Sequence, residues 1–256
     1  MSFPISLRAE ILKTRRSAAF WLSVIGAAFI PAIFFLMYFF KPGVFAQKVD
    51  NQPWKSHFTN GWQALSIFML PMFIILTCSL IPQLEYKNNT WKQVFASPQS
   101  LGNIFFSKFM TIHLMILFCF FLFNLFMIVS AVTVNIFNKS YHFLDHTIDW
   151  SFLLRLNFKT YVSILGISAI QYWLSLRFKN FIAPIGIGLA LLITSLILMQ
   201  WEHIYKIPYA HPLLTFLAIK KNETSLLANH EWNSIGYFIT FTALAFADMK
   251  YRKERG

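Results

Sequence analysis

The sequence predicts an all-α integral membrane protein. Six transmembrane helices are expected, with an N-terminal amphipathic interfacial helix, a short cytoplasmic helix between spans 2 and 3, and short extracellular helices between spans 5 and 6. Three observations lead there. Hydrophobic residues make up 57% of the 256 positions and charged residues only 12%, with thirty Phe. A soluble domain is about a quarter charged and under half apolar, and a chain this apolar would expose too much hydrocarbon to stay in water. The apolar residues are also gathered into six stretches free of Asp, Glu, Lys and Arg. Finally, the basic residues crowd the ends of those stretches. This pattern excludes disorder, fibrous repeats and a nucleic-acid-binding module, so the net charge of +12 is read as topology and not as a nucleic-acid partner.

A helix needs about 20 residues to cross a hydrocarbon core of about 30 Å. Residues 1–16 form the cytoplasmic entry segment, and 17–256 a single six-span domain with spans at about 17–40, 61–82, 108–137, 159–177, 180–201 and 232–249. The fourth and sixth are short, and Lys159, Arg177 and Lys250 are expected to snorkel to the interfaces. Trp21, Trp62, Trp201 and Trp232 flank spans as an aromatic belt would. Pro31, Pro71 and Pro184 lie inside spans and predict kinks or broken turns. His211 to Ile219 is too short to span and reads as a re-entrant or interfacial helix.

With the N-terminus inside, thirteen of the 22 Lys and Arg fall on the inner side, so both termini are expected in the cytoplasm. The first apolar run is too long for the h-region of a cleavable signal peptide. Between Ser6 and Arg16, Leu7, Ile11 and Leu12 are set against Arg8, Lys13, Arg15 and Arg16, a strip suited to lying on the inner leaflet. Cys78 and Cys119 are both inside apolar runs and form no CxxC pair.

The segment between spans 2 and 3 holds the most specific pattern. Thr90 followed by Gln93 is a capping box that starts a helix, Pro98 ends it, and Ser100 caps the helix that runs into span 3. The result is a short lever across the cytoplasmic face, joined to two spans. Glu85, Thr90, Trp91, Pro98 and Lys108, at this spacing between the second and third of six spans, resemble the permease subunits of ABC-2 type exporters. They especially resemble the small permeases of lantibiotic and bacitracin self-protection. Asn89 stands where that family often has Gly.

The resemblance implies a permease of a bacterial cytoplasmic (inner) membrane that carries no catalytic activity. Its coupling-helix region, Glu85, Thr90, Trp91, Lys92, Gln93, Pro98 and Lys108, would dock on a separate ABC ATPase subunit. A second permease, identical or homologous, would complete the transporter in the lipid bilayer. The substrate would be amphipathic or hydrophobic, for example an antimicrobial peptide or lipid-linked compound. The chain lacks GxxxxGK[ST], so ATP and Mg would be bound by the partner, and no cofactor is expected on this chain.

Two rival readings stand beside this one. An ATP-independent secondary transporter would want internal repeats and midplane ionisable residues, and the sequence shows neither. A membrane-embedded metal-dependent enzyme would rest on His142 and His146, interleaved with Asp145 and Asp149, which on a helix could approach one another; a solvated juxtamembrane helix is the plainer alternative. The polar residues His113, Asn124, Asn135 and Gln171 inside spans are expected to form interhelical hydrogen bonds.

Overall fold

The structure is a computed structural model that describes residues 2–42, 52–88, 91, 99–221 and 225–251. Among the described residues it is helical throughout. Helix α1 (Phe3–Thr14) turns into α2 (Ala18–Phe40) through Arg16, whose φ of 63° is left-handed. Helix α3 (Pro53–Ala64) continues through a π turn (Leu65–Met69) into α4 (Leu70–Lys87). Then come α5 (Leu101–Phe137), α6 (Trp150–Arg177), α7 (Ile182–Ile197), α8 (His211–Lys220) and α9 (Asn229–Tyr251).

Among the described residues five helical stretches are long and apolar enough to cross a membrane: Ala18–Phe40, Pro53–Lys87, Leu101–Phe137, Trp150–Arg177 and Ile182–Gln200. Helix α9 has 23 residues, about 34 Å at 1.5 Å per residue, but is less apolar and packs closely along α6. Helix α5 has 37 residues, about 55 Å, and is much longer than a hydrocarbon core.

The distribution of polarity is the reverse of that in a soluble bundle. Phe106, Met110, Leu117, Phe121, Leu125, Val129 and Ile136 line the exposed side of α5, while Ser107, Thr111 and Ser130 are buried. Helix α2 likewise exposes Trp21, Ile25, Phe29 and Ile33 and buries Ser23. Only a hydrocarbon solvent makes that arrangement favourable. Helix α6 is the hub, contacting α4, α7, α8 and α9, and α5 packs against α1, α2 and α4.

The prolines behave differently from one another. Pro71 has no N–H and its ring would strike the carbonyl of Ile67; the preceding turn widens, with Leu70 N–H donating to Leu65 O, five residues back. Pro31 lies inside α2. Pro184 does not break a helix, because it sits in the first turn of α7, where a missing N–H costs nothing.

Three further expectations are corrected. Trp62 is not in an interfacial belt: it is fully buried, donates to Asn124 Oδ1 at 3.2 Å and packs edge-on against Phe120 and Phe123. Lys159 does not snorkel: it is 1% exposed and pairs with Glu231 at 3.6 Å. The helices also continue past the charge-free stretches, so Glu85 and Glu231 lie buried within α4 and α9.

Of the four intrahelical polar residues, three do join helices. His113 Nδ1 meets the Tyr161 hydroxyl at 3.0 Å, and Asn124 Nδ2 donates to Asn157 Oδ1 at 2.8 Å. Gln171 donates to the Pro184 carbonyl at 2.6 Å and accepts from Tyr209 at 2.9 Å. Asn135 instead accepts the Phe143 N–H at 2.8 Å, tying down the loop after α5.

Candidate functional site

The buried stripe of α4 runs Ile74, Cys78, Ile81, Glu85, at intervals of four, three and four residues, so Glu85 continues a core-facing row. On α5, Lys108 occupies the corresponding row with Ile104 and Ile112. Ser100, as expected, caps α5 by accepting the Asn103 N–H at 3.2 Å. On α1, the buried residues are Ser6, Glu10 and Thr14, four apart. These three rows converge.

Lys108 Nζ donates to Glu10 Oε2 at 2.8 Å and to Glu85 Oε1 at 3.0 Å. Lys13 Nζ donates to Glu10 Oε1 at 2.8 Å and to Glu85 Oε1 at 2.7 Å. Each lysine therefore bridges both glutamates, and the four formal charges cancel. Lys108 and Glu85 side chains are only 1% and 3% exposed, whereas Lys13 is 42% exposed. Burial opposes the charge on Lys13, but its hydrogen bonds to Glu10 and Glu85 outweigh that and hold its pKa above the ordinary value.

Trp91 places its ring 5.5 Å from the Lys108 ammonium and 5.3 Å from the Tyr86 ring, a cation–π and an aromatic contact. Ser6 donates to Gln99 at 2.9 Å, just ahead of α5. Tyr86 donates to the Leu176 carbonyl at 3.2 Å, and Arg177 pairs with Asp248 at 2.8 Å, so the ends of α6 and α9 meet the same end of the bundle.

The structure thus brings together Glu85, Trp91 and Lys108 from the motif. Thr90, Lys92, Gln93 and Pro98, and with them the expected helix, lie outside the described residues. Sequence reasoning missed Glu10 and the inward role of Lys13. The available signal was Ser6-x₃-Glu10-x₃-Thr14, a polar row of helical period in a segment otherwise read by its apolar strip.

A second buried polar cluster joins α6, α8 and α9. Lys159 donates to the Ser225 carbonyl at 3.2 Å; Glu231 accepts from Thr215 at 3.1 Å and from the Ala228 N–H at 2.8 Å. The His211 and His230 rings lie 6.0 Å apart. Burial chiefly, and the neighbouring His230, lower the His211 pKa to about 3, although His211 Nε2 donates to the Tyr205 carbonyl.

The His142–His146 pair is not on a helix. The segment forms two 3₁₀ turns (Lys139–Tyr141 and Phe143–Asp145) separated by His142 in the left-handed conformation, φ 53°. His142 pairs with Asp145 at 2.7 Å, and Asp149 caps α6 by accepting the Phe152 N–H at 3.0 Å. Among the described residues no three His, Cys, Asp or Glu side chains are grouped as a metal site would require.

Fold and polarity together define a polytopic helical membrane protein whose one bundle end is clasped by buried charges. Residues 6–195 match the family model described as ABC-2 family transporter protein, and the chain belongs to that family. Its members are ABC transporter permeases, exporter components of the membrane without catalytic activity of their own, and membership implies partnership with an ATPase and a second permease. No curated protein and no solved structure matches the chain.

Proposed function

We propose that this chain is the permease subunit of an ATP-driven exporter of the lantibiotic and bacitracin self-protection type. Two permeases and two ATPase subunits make the transporter, in a bacterial cytoplasmic membrane with both termini cytoplasmic and α9 as the sixth span. The ATPase docks on the segment from Thr90 to Ser97, and its closure on ATP moves α4 and α5 through that lever. The substrate is an amphipathic or hydrophobic compound, carried outward or extracted from the bilayer.

One observation carries this reading. The three described residues of the motif, Glu85, Trp91 and Lys108, are linked through Lys108, which also grips α1. A force arriving at Trp91 therefore reaches three helices through a rigid, buried contact. The same network holds Trp91 against Tyr86 and Lys108 before any partner binds.

Reconstitution tests the ATP requirement. Proteoliposomes holding the permease and its ATPase should move the substrate only with ATP, and not when the Walker A lysine of the ATPase is replaced. A second reading, ATP-independent transport, draws on the buried Lys159–Glu231 pair. Substrate movement by the permease alone, driven by an ion gradient, would establish that reading in place of the first.

A further inference from the structure

The outward face of α1 has chemistry of its own. Ile5, Arg8, Leu12 and Arg15 recur at intervals of three, four and three, on the side opposite Ser6, Glu10 and Thr14. All four are exposed, with Ile5 at 55% and Leu12 at 57%. Arg16, also exposed, follows in a left-handed turn that fixes the angle between α1 and α2. Four residues after Ser17, the N-cap of α2, the indole of Trp21 is 54% exposed, which marks headgroup depth one turn from Arg16. A face that mixes aliphatic side chains with arginines, at that depth, matches an anionic lipid surface and not water.

We propose that α1 is a sensor of membrane surface charge: its outer face binds anionic headgroups, and its inner face transmits that seating to α4 and α5 through Glu10. The link is direct, because Glu10 holds both Lys108 and Lys13, and both hold Glu85. Ser6 on Gln99 adds a second tie to the start of α5. Lipid charge thereby sets how firmly the last turn of α4 is held. The lipid seat stands independently of the proposed ATPase docking; its consequence for transport rests on that reading.

The lipid source is committed, and the test needs no ATPase. The full chain, with Leu12→Cys carrying a polarity-sensitive fluorophore, is placed in vesicles of phosphatidylcholine alone or mixed with phosphatidylglycerol. Cys78 and Cys119 are both buried, so the label is selective. Each basic residue near an anionic surface strengthens binding about fivefold, so neutralising three arginines should weaken it on the order of a hundredfold. The label should move to an apolar environment in the anionic vesicles, return toward water in 1 M salt as the Debye length falls to about 3 Å, and fail to move in R8Q/R15Q/R16Q. The R8K/R15K/R16K variant should respond like the parent.

Hydrogen exchange reads the transmission. Amides of Gln83 to Asn88 should exchange more slowly in anionic vesicles, and this slowing should vanish in E10Q while the Leu12 label still seats. Equal label environments in both lipids, or burial only when the ATPase is added, would overturn the lipid seat. Exchange that ignores lipid charge while the label seats would overturn the transmission.

Discussion

Replacing Lys108 by Met tests whether the charge clasp stabilises the bundle as a unit. Lys108 Nζ is held at 2.8 Å and 3.0 Å by two carboxylates, with the side chain 1% exposed. Removing one member of a buried pair costs about 3–5 kcal/mol, because the remaining charge is left in a poor solvent. Here Lys13 still bridges both glutamates and is 42% exposed, so water reaches part of the cluster. The low end, about 3 kcal/mol, is expected for K108M, and about 2 kcal/mol for E85Q, which keeps a polar acceptor. In K108M/E85Q one carboxylate and one lysine remain, Glu10 and Lys13, and the charges balance again. The double variant should be less destabilised than the sum of the singles by about 1–3 kcal/mol. The assay is reversible unfolding in mixed micelles, followed by circular dichroism across a double-mutant cycle. Single costs that add to within about 0.5 kcal/mol would refute the idea of a coupled clasp.

Other expectations follow from single contacts. A Cβ on Gly188 would lie 2.7 Å from Gln171 Oε1 and 2.9 Å from Ile75 Cγ2, so G188A should lower stability by about 1–3 kcal/mol and loosen the Gln171–Pro184 bond, measured by the same unfolding assay. Asn124→Leu removes bonds to both Asn157 and Trp62 and should cost about 1–2 kcal/mol, with a shift in tryptophan emission as the Trp62 indole loses its acceptor. His211 has a pKa lowered to about 3 in the fold, so between that value and its ordinary 6.5 the unfolded chain binds the extra proton. Stability should therefore fall as pH drops below about 6.5, and H211N should flatten that dependence in melting curves taken from pH 7 to pH 5.

The spans were legible because hydrocarbon imposes a simple rule on composition, and Ala18–Phe40 and Ile182–Gln200 follow the charge-free runs within two residues. The polar helix ends were not. Residues 53–60 and 150–158 are helical through tertiary partners that no local pattern announces, such as Trp54 Nε1 donating to the Phe143 carbonyl at 2.8 Å. Trp62 and Lys159 were misplaced for the same reason: each looks interfacial alone, and each has its partner, Asn124 or Glu231, on another helix. Within the candidate site, Glu85, Trp91 and Lys108 could be named through the family resemblance carried by one stretch. The partner of Glu10 could not, since its contact with Lys108 spans 98 positions. The His142–His146 reading failed on backbone conformation, because a left-handed residue interrupts the helix that would have brought the pair together.

The most direct test of the account is a mild-detergent pull-down of the tagged chain from its native membranes, with mass spectrometry of the proteins recovered, for the parent and for Trp91→Ala. The account predicts a soluble protein bearing a Walker A loop with the parent chain, and its loss with W91A while the amount of permease in the membrane is unchanged. A parent chain recovered without any such ATPase, stable and monodisperse in several detergents, would contradict it, and so would an ATPase that stays bound to W91A in full.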